Sequence, residues 1–196
     1  MDDFHNSVKI YQLSPLSILF QFQTALRLGE LCAIRYSDIE TIEGKKFLHI
    51  QSMVRRDAHK VVEHTKTDAG DRYIPLTEDA LHIISLAKQR QIELGVDSTG
   101  FSFSINGKPL TERSVADLYR KYSKWLGGAM RSSHDARKTV LSMLLDHGMS
   151  INAVREFAGH EDERTTLHNY GYTSTPSQQI AKNVNDTLRF SNCNPM

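Results

Sequence analysis

Cysteine is almost missing from this sequence: Cys32 and Cys193 are the only two in 196 residues, they lie far apart, and no CxxC or HxxxH spacing occurs. That argues against a disulfide framework and against a zinc site, and it suits a reducing, cytoplasmic compartment. Long apolar runs are missing too. The most apolar stretch near the start, Leu16 to Phe22, is broken by Gln21 and is too short to span a bilayer, so no membrane partner is expected. The chain opens Met1-Asp2-Asp3, acidic where a secretory signal needs basic residues. Internal repeats and low-complexity segments are absent. So is a large charge of either sign: the formal net charge of +1 does not by itself announce a nucleic-acid partner.

What is present is ordinary in bulk and uneven in detail. Hydrophobic residues at 39% and charged residues at 24% suit a globular protein, and a chain this long can bury roughly 70% of its unfolded surface in one core. Charge is segregated along the chain. Lys108, Arg113, Arg120, Lys121, Lys124, Arg131, Arg137 and Lys138 share a stretch with only Glu112, Asp117 and Asp135, whereas Glu156, Glu161, Asp162 and Glu163 crowd a later one. A second basic concentration, Arg55, Arg56, Lys60, Lys66 and Arg72, is diluted by Asp57, Glu63, Asp68 and Asp71. Solvated helix faces account for this most simply; one positive face for a phosphate backbone is the alternative.

Patterning predicts a mainly helical domain with a small sheet. Residues 1–13 carry no clear signal and read as a tail. Ser14, with Pro15 at the first helical position, opens an apolar helix, and Leu28, Leu31 and Ile34 then recur at helical spacing. Short β-favouring runs at Lys46 to Met53, Lys60 to Glu63 and Arg72 to Leu76, separated by turn-like residues, predict a three-stranded antiparallel sheet, with Lys66 at the turn between the last two. Further helices follow: one from Thr77 to Gly95, one from Thr111 bearing Val115, Leu118, Tyr119, Tyr122 and Leu126, one from about His134 to Gly148, and a short one capped by Ser150. Thr175-Pro176-Ser177-Gln178 has the form of a capping box and opens a last helix with Ile180, Val184 and Leu188.

Two places concentrate chemistry. From Arg131 to Tyr172 come His134 and Arg137, three apart and so on one helix face, then Gly159-His160, then Tyr170. Each can donate a hydrogen bond to an anionic oxygen, and a tyrosine can also attack one, so phosphate is the obvious target. Taken singly, each histidine or tyrosine is more simply structural. Arg27 and Glu30, also three apart, read either as a surface ion pair worth little or as a phosphate-directed arginine steadied by a glutamate.

Together these pieces resemble a family. Thr24-Ala25-Leu26-Arg27-Leu28-Gly29-Glu30-Leu31 looks like the first arginine box of the tyrosine recombinases, the phage-integrase and Xer-type family. The run from Lys66 to Leu76 resembles that family's catalytic-lysine hairpin, in the style of conjugative-transposon and temperate-phage integrases. His134-Asp135-Ala136-Arg137, Gly159-His160 and Tyr170 match the remaining boxes in order, so the likeness covers about residues 16 to 190. It implies the tyrosine recombinase catalytic-domain fold, with residues 14–174 as catalytic domain and 175–196 as a C-terminal helix and tail packing in cis or on a neighbouring protomer.

The resemblance also implies roles. Arg27 and Arg137 would grip the non-bridging oxygens of a scissile phosphate in double-stranded DNA, with planar forks better suited to that than lysine. His134 and His160 would add hydrogen bonds, Glu30 would steady Arg27, Lys66 would protonate the departing 5′-oxygen, and Tyr170 would form a 3′-phosphotyrosyl link. A phenol of pKa near 10 is only about 0.1% ionised at pH 7, so the nucleophile needs such a cationic pocket. Exchanging one phosphoester for another requires neither cofactor nor metal. The expected activity is therefore that of a site-specific DNA recombinase or integrase, a tetramer on DNA when full-length and a monomer as an isolated domain. An inactive DNA-binding remnant and a metal-dependent phosphodiesterase are the alternatives.

Some positions depart from the family pattern. Ala25 stands where glycine is common, which matters little if that residue is helical; Lys138 replaces a frequent histidine; Phe157-Ala158 replaces a leucine pair; and Tyr172 competes with Tyr170 as nucleophile. The N-terminal DNA-clamping domain usual in the family has no counterpart here, so the chain reads as an isolated catalytic domain, excised or natural.

Overall fold

The computed structural model describes residues 2–55, 60–63, 70–95, 100–105, 108–125, 127–128 and 132–160, and of residues 2–12 and 105 the backbone alone. Its axis is helix α1 (Asp2–Thr24), against which α3 (Glu78–Glu93), α4 (Glu112–Trp125) and α5 (Ser133–Asp146) all pack. Phe20 of α1 and Phe103 meet with ring centroids 5.7 Å apart, tilted by 58°. Leu26, Leu31 and Ile74 are fully buried in the same cluster, and burial stabilises the fold by roughly 1.5–3 kcal/mol per side chain of this size.

α1 starts twelve residues earlier than the Ser14-Pro15 pair suggests, so residues 2–13 are helix and not tail. Pro15 lies inside it. An interior proline removes one ladder hydrogen bond and crowds the carbonyl four residues back, at about 3 kcal/mol, and the fully buried Leu13 and Ser14 just before it belong to the packed body of the domain. Ser17 Oγ donates to the carbonyl of Ser14 at 2.7 Å close by.

The chain leaves α1 at Ala25, which is not helical: its φ is 50°. A left-handed alanine costs roughly 1–2 kcal/mol, which glycine would avoid, so the departure noted at this position does carry a cost. The turn aims the chain into α2 (Leu28–Ala33), where Leu31 is fully buried and Ile34, just past the end, nearly so. Gly29 is required by close approach, because a Cβ there would sit 2.8 Å from the Val54 carbonyl oxygen. Behind this junction the buried Gln21 donates to the Leu26 carbonyl (2.6 Å) and to Ser133 Oγ (2.8 Å) and accepts from the Tyr119 hydroxyl (2.6 Å). One amide thus sets the segment before Arg27 against the start of α5.

A three-stranded antiparallel sheet exists, with different members from those predicted. It comprises β1 (Ile39–Ile42), β2 (Lys45–Ile50) and β5 (Arg72–Pro75) in the order β1-β2-β5, with Ile39 opposite Leu48 and Leu48 opposite Ile74. The Lys60 to Glu63 run instead supplies β4 (Lys60–Val62), paired with β3 (Met53–Arg55) in a separate ribbon. Among the described strands β4 and β5 do not pair, and Lys66, predicted at the turn between the last two runs, lies outside the described residues. A small ribbon, β6 (Ser104–Ile105) with β7 (Lys108–Pro109), precedes α4.

Helix boundaries follow their caps. Thr77 accepts from the Ala80 N–H at 3.1 Å, Ser132 from Asp135 at 3.2 Å, and Ser150 from Ala153 at 3.2 Å to start α6 (Ile151–Ala158). Val115, Leu118 and Tyr119 of α4 are buried, as their spacing predicts. No described helix is long and apolar enough to cross a membrane. Lys66, Leu126, Tyr170, Tyr172 and the whole 175–196 segment lie outside the described residues.

Candidate active site

An α-helix leaves its last carbonyls without partners, and the partial negative charge gathered there attracts cations. At the end of α6 two of them are capped locally: Gly159, left-handed at φ 67°, donates to the Glu156 carbonyl (3.0 Å) and His160 to that of Arg155 (3.1 Å). The next three are taken one by one by arginines from remote segments. Phe157 accepts from Arg72 Nε (3.0 Å), Ala158 from Arg137 Nη2 (2.6 Å) and Gly159 from Arg27 Nη2 (2.7 Å). Three guanidiniums are thereby drawn into one helical turn's width.

One carboxylate stands among them. Glu30 Oε1 accepts from Arg27 Nη1 (2.8 Å) and Arg72 Nη1 (3.1 Å), and Oε2 from the Arg27 backbone N–H (2.9 Å) and Arg72 Nη2 (3.0 Å). All four of its acceptor positions are filled. Its side chain is 3% exposed, so the Arg27–Glu30 pair is not the weak surface bridge that spacing alone allows. Burial by itself raises this carboxyl, but Arg72 first, then Arg27 and Arg137, overrule burial and hold it at about 2 instead of 4.5. Arg27, with 42% of its side chain exposed, is the guanidinium that faces outward.

Arg137 is buried on α5. Besides Ala158 it reaches the Ala25 carbonyl through Nη1 (2.5 Å), and its Nη2 lies 3.0 Å from His160 Nε2. A guanidinium can only donate, so Nε2 accepts and the ring is neutral with its proton on Nδ1. Burial, then the charges of Arg137, Arg27 and Arg72, push His160 from 6.5 down to about 4, against an opposite pull from Glu30. Among the described residues the cluster therefore holds three positive charges, one negative charge and a neutral imidazole. Such an excess inside a partly buried pocket calls for an anion.

The His160 shift gives a direct prediction. In a pH titration followed by ring NMR signals, His160 is expected to stay neutral down to about pH 5 and titrate near 4. Because its folded pKa lies below its unfolded value, the unfolded chain takes up the proton first. Stability due to His160 is thus complete above about 6.5 and drains as pH falls from there toward 4. An ordinary titration near 6.5 contradicts the geometry described.

Of the residues singled out by sequence, Arg27, Glu30, Arg137 and His160 come together. His134 stands exposed in the first turn of α5, one turn before Arg137. Lys66 and Tyr170 fall outside the described residues. Arg72 is the residue sequence reasoning missed as part of the site, having placed it in a diluted basic run, a β-favouring run and the lysine hairpin without giving it a role. A signal existed: Arg72 and Ile74 alternate with exposed neighbours on β5, so a core-facing Ile74 places Arg72 inward as well. The Phe157-Ala158 departure from a leucine pair leaves the contacts unaffected, because the arginines bind backbone carbonyls there.

A mostly helical domain with a small antiparallel sheet is the fold this chain shares with solved tyrosine recombinases. The Tn1549 transposon integrase, solved with transposon right end DNA, superposes with a TM-score of 0.70 at 22% identity, covering 95% of this chain and 64% of that one. XerA recombinase superposes at 0.64 with 16% identity, covering 92% and 63%. The phage integrase family pattern matches residues 2–175, and the chain belongs to that family. Among similar proteins are the ICEBs1 integrase of Bacillus subtilis (25% identical, covering 85% of this chain and 47% of the relative) and a tyrosine recombinase XerC of Thermodesulfovibrio yellowstonii (23%, covering 74% and 45%). Transposase A of transposon Tn554 from Staphylococcus aureus is 26% identical over 81% of this chain and 43% of its own length. The chain thus spans about half the length of the curated relatives it matches.

Proposed function

We propose that this chain is the catalytic domain of a site-specific DNA recombinase or integrase, which cuts and rejoins DNA strands through a 3′-phosphotyrosyl intermediate without a metal. The observation that carries this reading is the seating of Arg27, Arg72 and Arg137 on three successive carbonyls at the C-terminal end of α6 around one carboxylate. In a displacement at phosphorus, charge grows on the equatorial oxygens, and donors fixed in advance stabilise it without reorganising. Arg27 and Arg137 bind those oxygens, and His160, with its proton on Nδ1, keeps the Arg137 fork aligned. His134, exposed at the start of α5, exchanges a proton with the nucleophile. Tyr170 attacks phosphorus as the P–O5′ bond breaks, Lys66 protonates the 5′-oxygen, and a second 5′-hydroxyl later reverses the step. Atoms and charge balance with no external energy source.

Double-stranded DNA is the proposed partner, with a tetramer forming on DNA in a full-length protein and the isolated domain monomeric. The test incubates the protein with nicked recombination-site DNA and separates products under denaturing conditions. A DNA-linked protein band that persists in EDTA is the expected result. No band indicates an inactive DNA-binding remnant, and strand cutting that EDTA abolishes indicates a metal-dependent phosphodiesterase.

A further inference from the structure

Arg72 has little left to offer DNA. Four of its five N–H groups are committed within the protein: to the Phe157 and Gly70 carbonyls and to both oxygens of Glu30. Neither the sequence motifs nor the roles proposed above give it a task. Its position suggests one. Glu30 must be ionised to fill its four acceptor positions, yet an ionised carboxylate paired with Arg27 alone would cancel the charge that the site presents outward. With Arg72 bound through a fork to the same carboxylate, that negative charge is already balanced, and the half-exposed Arg27 keeps its own.

We infer that Arg72 is a positioning residue that neutralises Glu30 from the buried side, so that Arg27 is both oriented and left with its charge available to a tetrahedral oxyanion. The inference rests on the proposed function for its meaning and can be tested apart from it. The surroundings agree: Arg137 from α5, Arg27 from the link before α2, Arg72 from β5 and Glu30 from α2 are the charged groups that act on His160, and Arg72 is among those that depress it.

The test uses inorganic sulfate as probe, with the His160 ring signals as reporter, on the wild type, Arg72→Gln and Glu30→Gln/Arg72→Gln. The wild type is expected to bind sulfate at the site. Arg72→Gln, which lowers the positive excess by one, should weaken binding by at least about tenfold. It should also raise the pH at which His160 titrates. The double variant restores the charge balance with neutral partners, so sulfate affinity should return to within about threefold of wild type and His160 should titrate near its original value. Should Arg72→Gln fail to fold, the double variant against wild type decides alone. A double variant that binds no better than Arg72→Gln, or that does not fold, overturns the inference, because tethering of the Phe157 and Gly70 carbonyls would then be the role of Arg72. Absence of sulfate binding in the wild type overturns it too. Sulfate binding that follows the predicted order, with no DNA adduct in any protein, leaves the inference standing and removes the proposed function.

Discussion

Arg137→Lys is expected to lower the single-turnover rate of DNA cleavage by about a hundredfold to a thousandfold, with a far smaller change in DNA affinity. Lysine keeps the charge and loses the fork. Arg137 reaches the Ala25 carbonyl with Nη1 and the Ala158 carbonyl and His160 Nε2 with Nη2, three groups from two segments of the chain. A single ammonium on a flexible stem cannot hold all three and also meet a phosphate in register. Buried carbonyls left without donors cost about 1–3 kcal/mol each, so the variant should also melt earlier, and the rate must be taken where it is fully folded. Cleavage within tenfold of wild type under those conditions contradicts the role given to Arg137.

Glu30→Ala should produce the largest loss of stability of any single change in the cluster, about 3–5 kcal/mol, or roughly 6–20 °C in Tm for a domain of this size. Removing the carboxylate leaves the buried Arg72 facing Arg27 and Arg137 with nothing between them, and it strips the Arg27 backbone N–H of its acceptor. Acid should mimic the mutation. Because the folded pKa of about 2 lies below the unfolded 4.5, the contribution of Glu30 is complete above about pH 4.5 and is lost as pH falls toward 2, to the extent of about 3 kcal/mol. Urea unfolding at pH 6 and at pH 3 measures both effects. Wild type should lose stability between the two pH values by more than Glu30→Gln does. Equal losses, or a Glu30→Ala protein as stable as wild type, place the carboxylate outside the network.

Much of this was legible in the sequence, for reasons that are local. Caps at Thr77 and Ser150, and glycines at 95, 148 and 159 in left-handed conformations, mark helix ends through side-chain and backbone chemistry confined to a few residues. The boxes around Arg27, Arg137 and His160 were legible because their residue types and their order along the chain resemble those of the family. What escaped depends on distant pairing or on backbone sign. Strand β1 was missed because it is short and half exposed, and the β1–β2 turn uses Glu43 and Gly44, both at positive φ, without the Asn-Gly or Asp-Gly pair that signals such a hairpin. The condition that Ala25 be helical, which alanine's propensity favours, is not met, because the turn out of α1 imposes φ 50° on it. The α1 start was misplaced because proline is a better marker of a helix's first turn than of its absence upstream. Arg72 was hidden by composition, since a charged residue in a mixed run looks solvated until strand alternation turns it inward.

The cationic cluster is proposed to hold one phosphate for attack by one particular phenol. Proteolysis of the protein–DNA adduct followed by mass spectrometry of the nucleotide-bearing peptide tests it most directly. The expected product is a nucleotide joined through its 3′-phosphate to Tyr170, with no adduct from Tyr170→Phe. A nucleotide on Tyr172 or on a histidine, or an adduct that survives Tyr170→Phe, contradicts it.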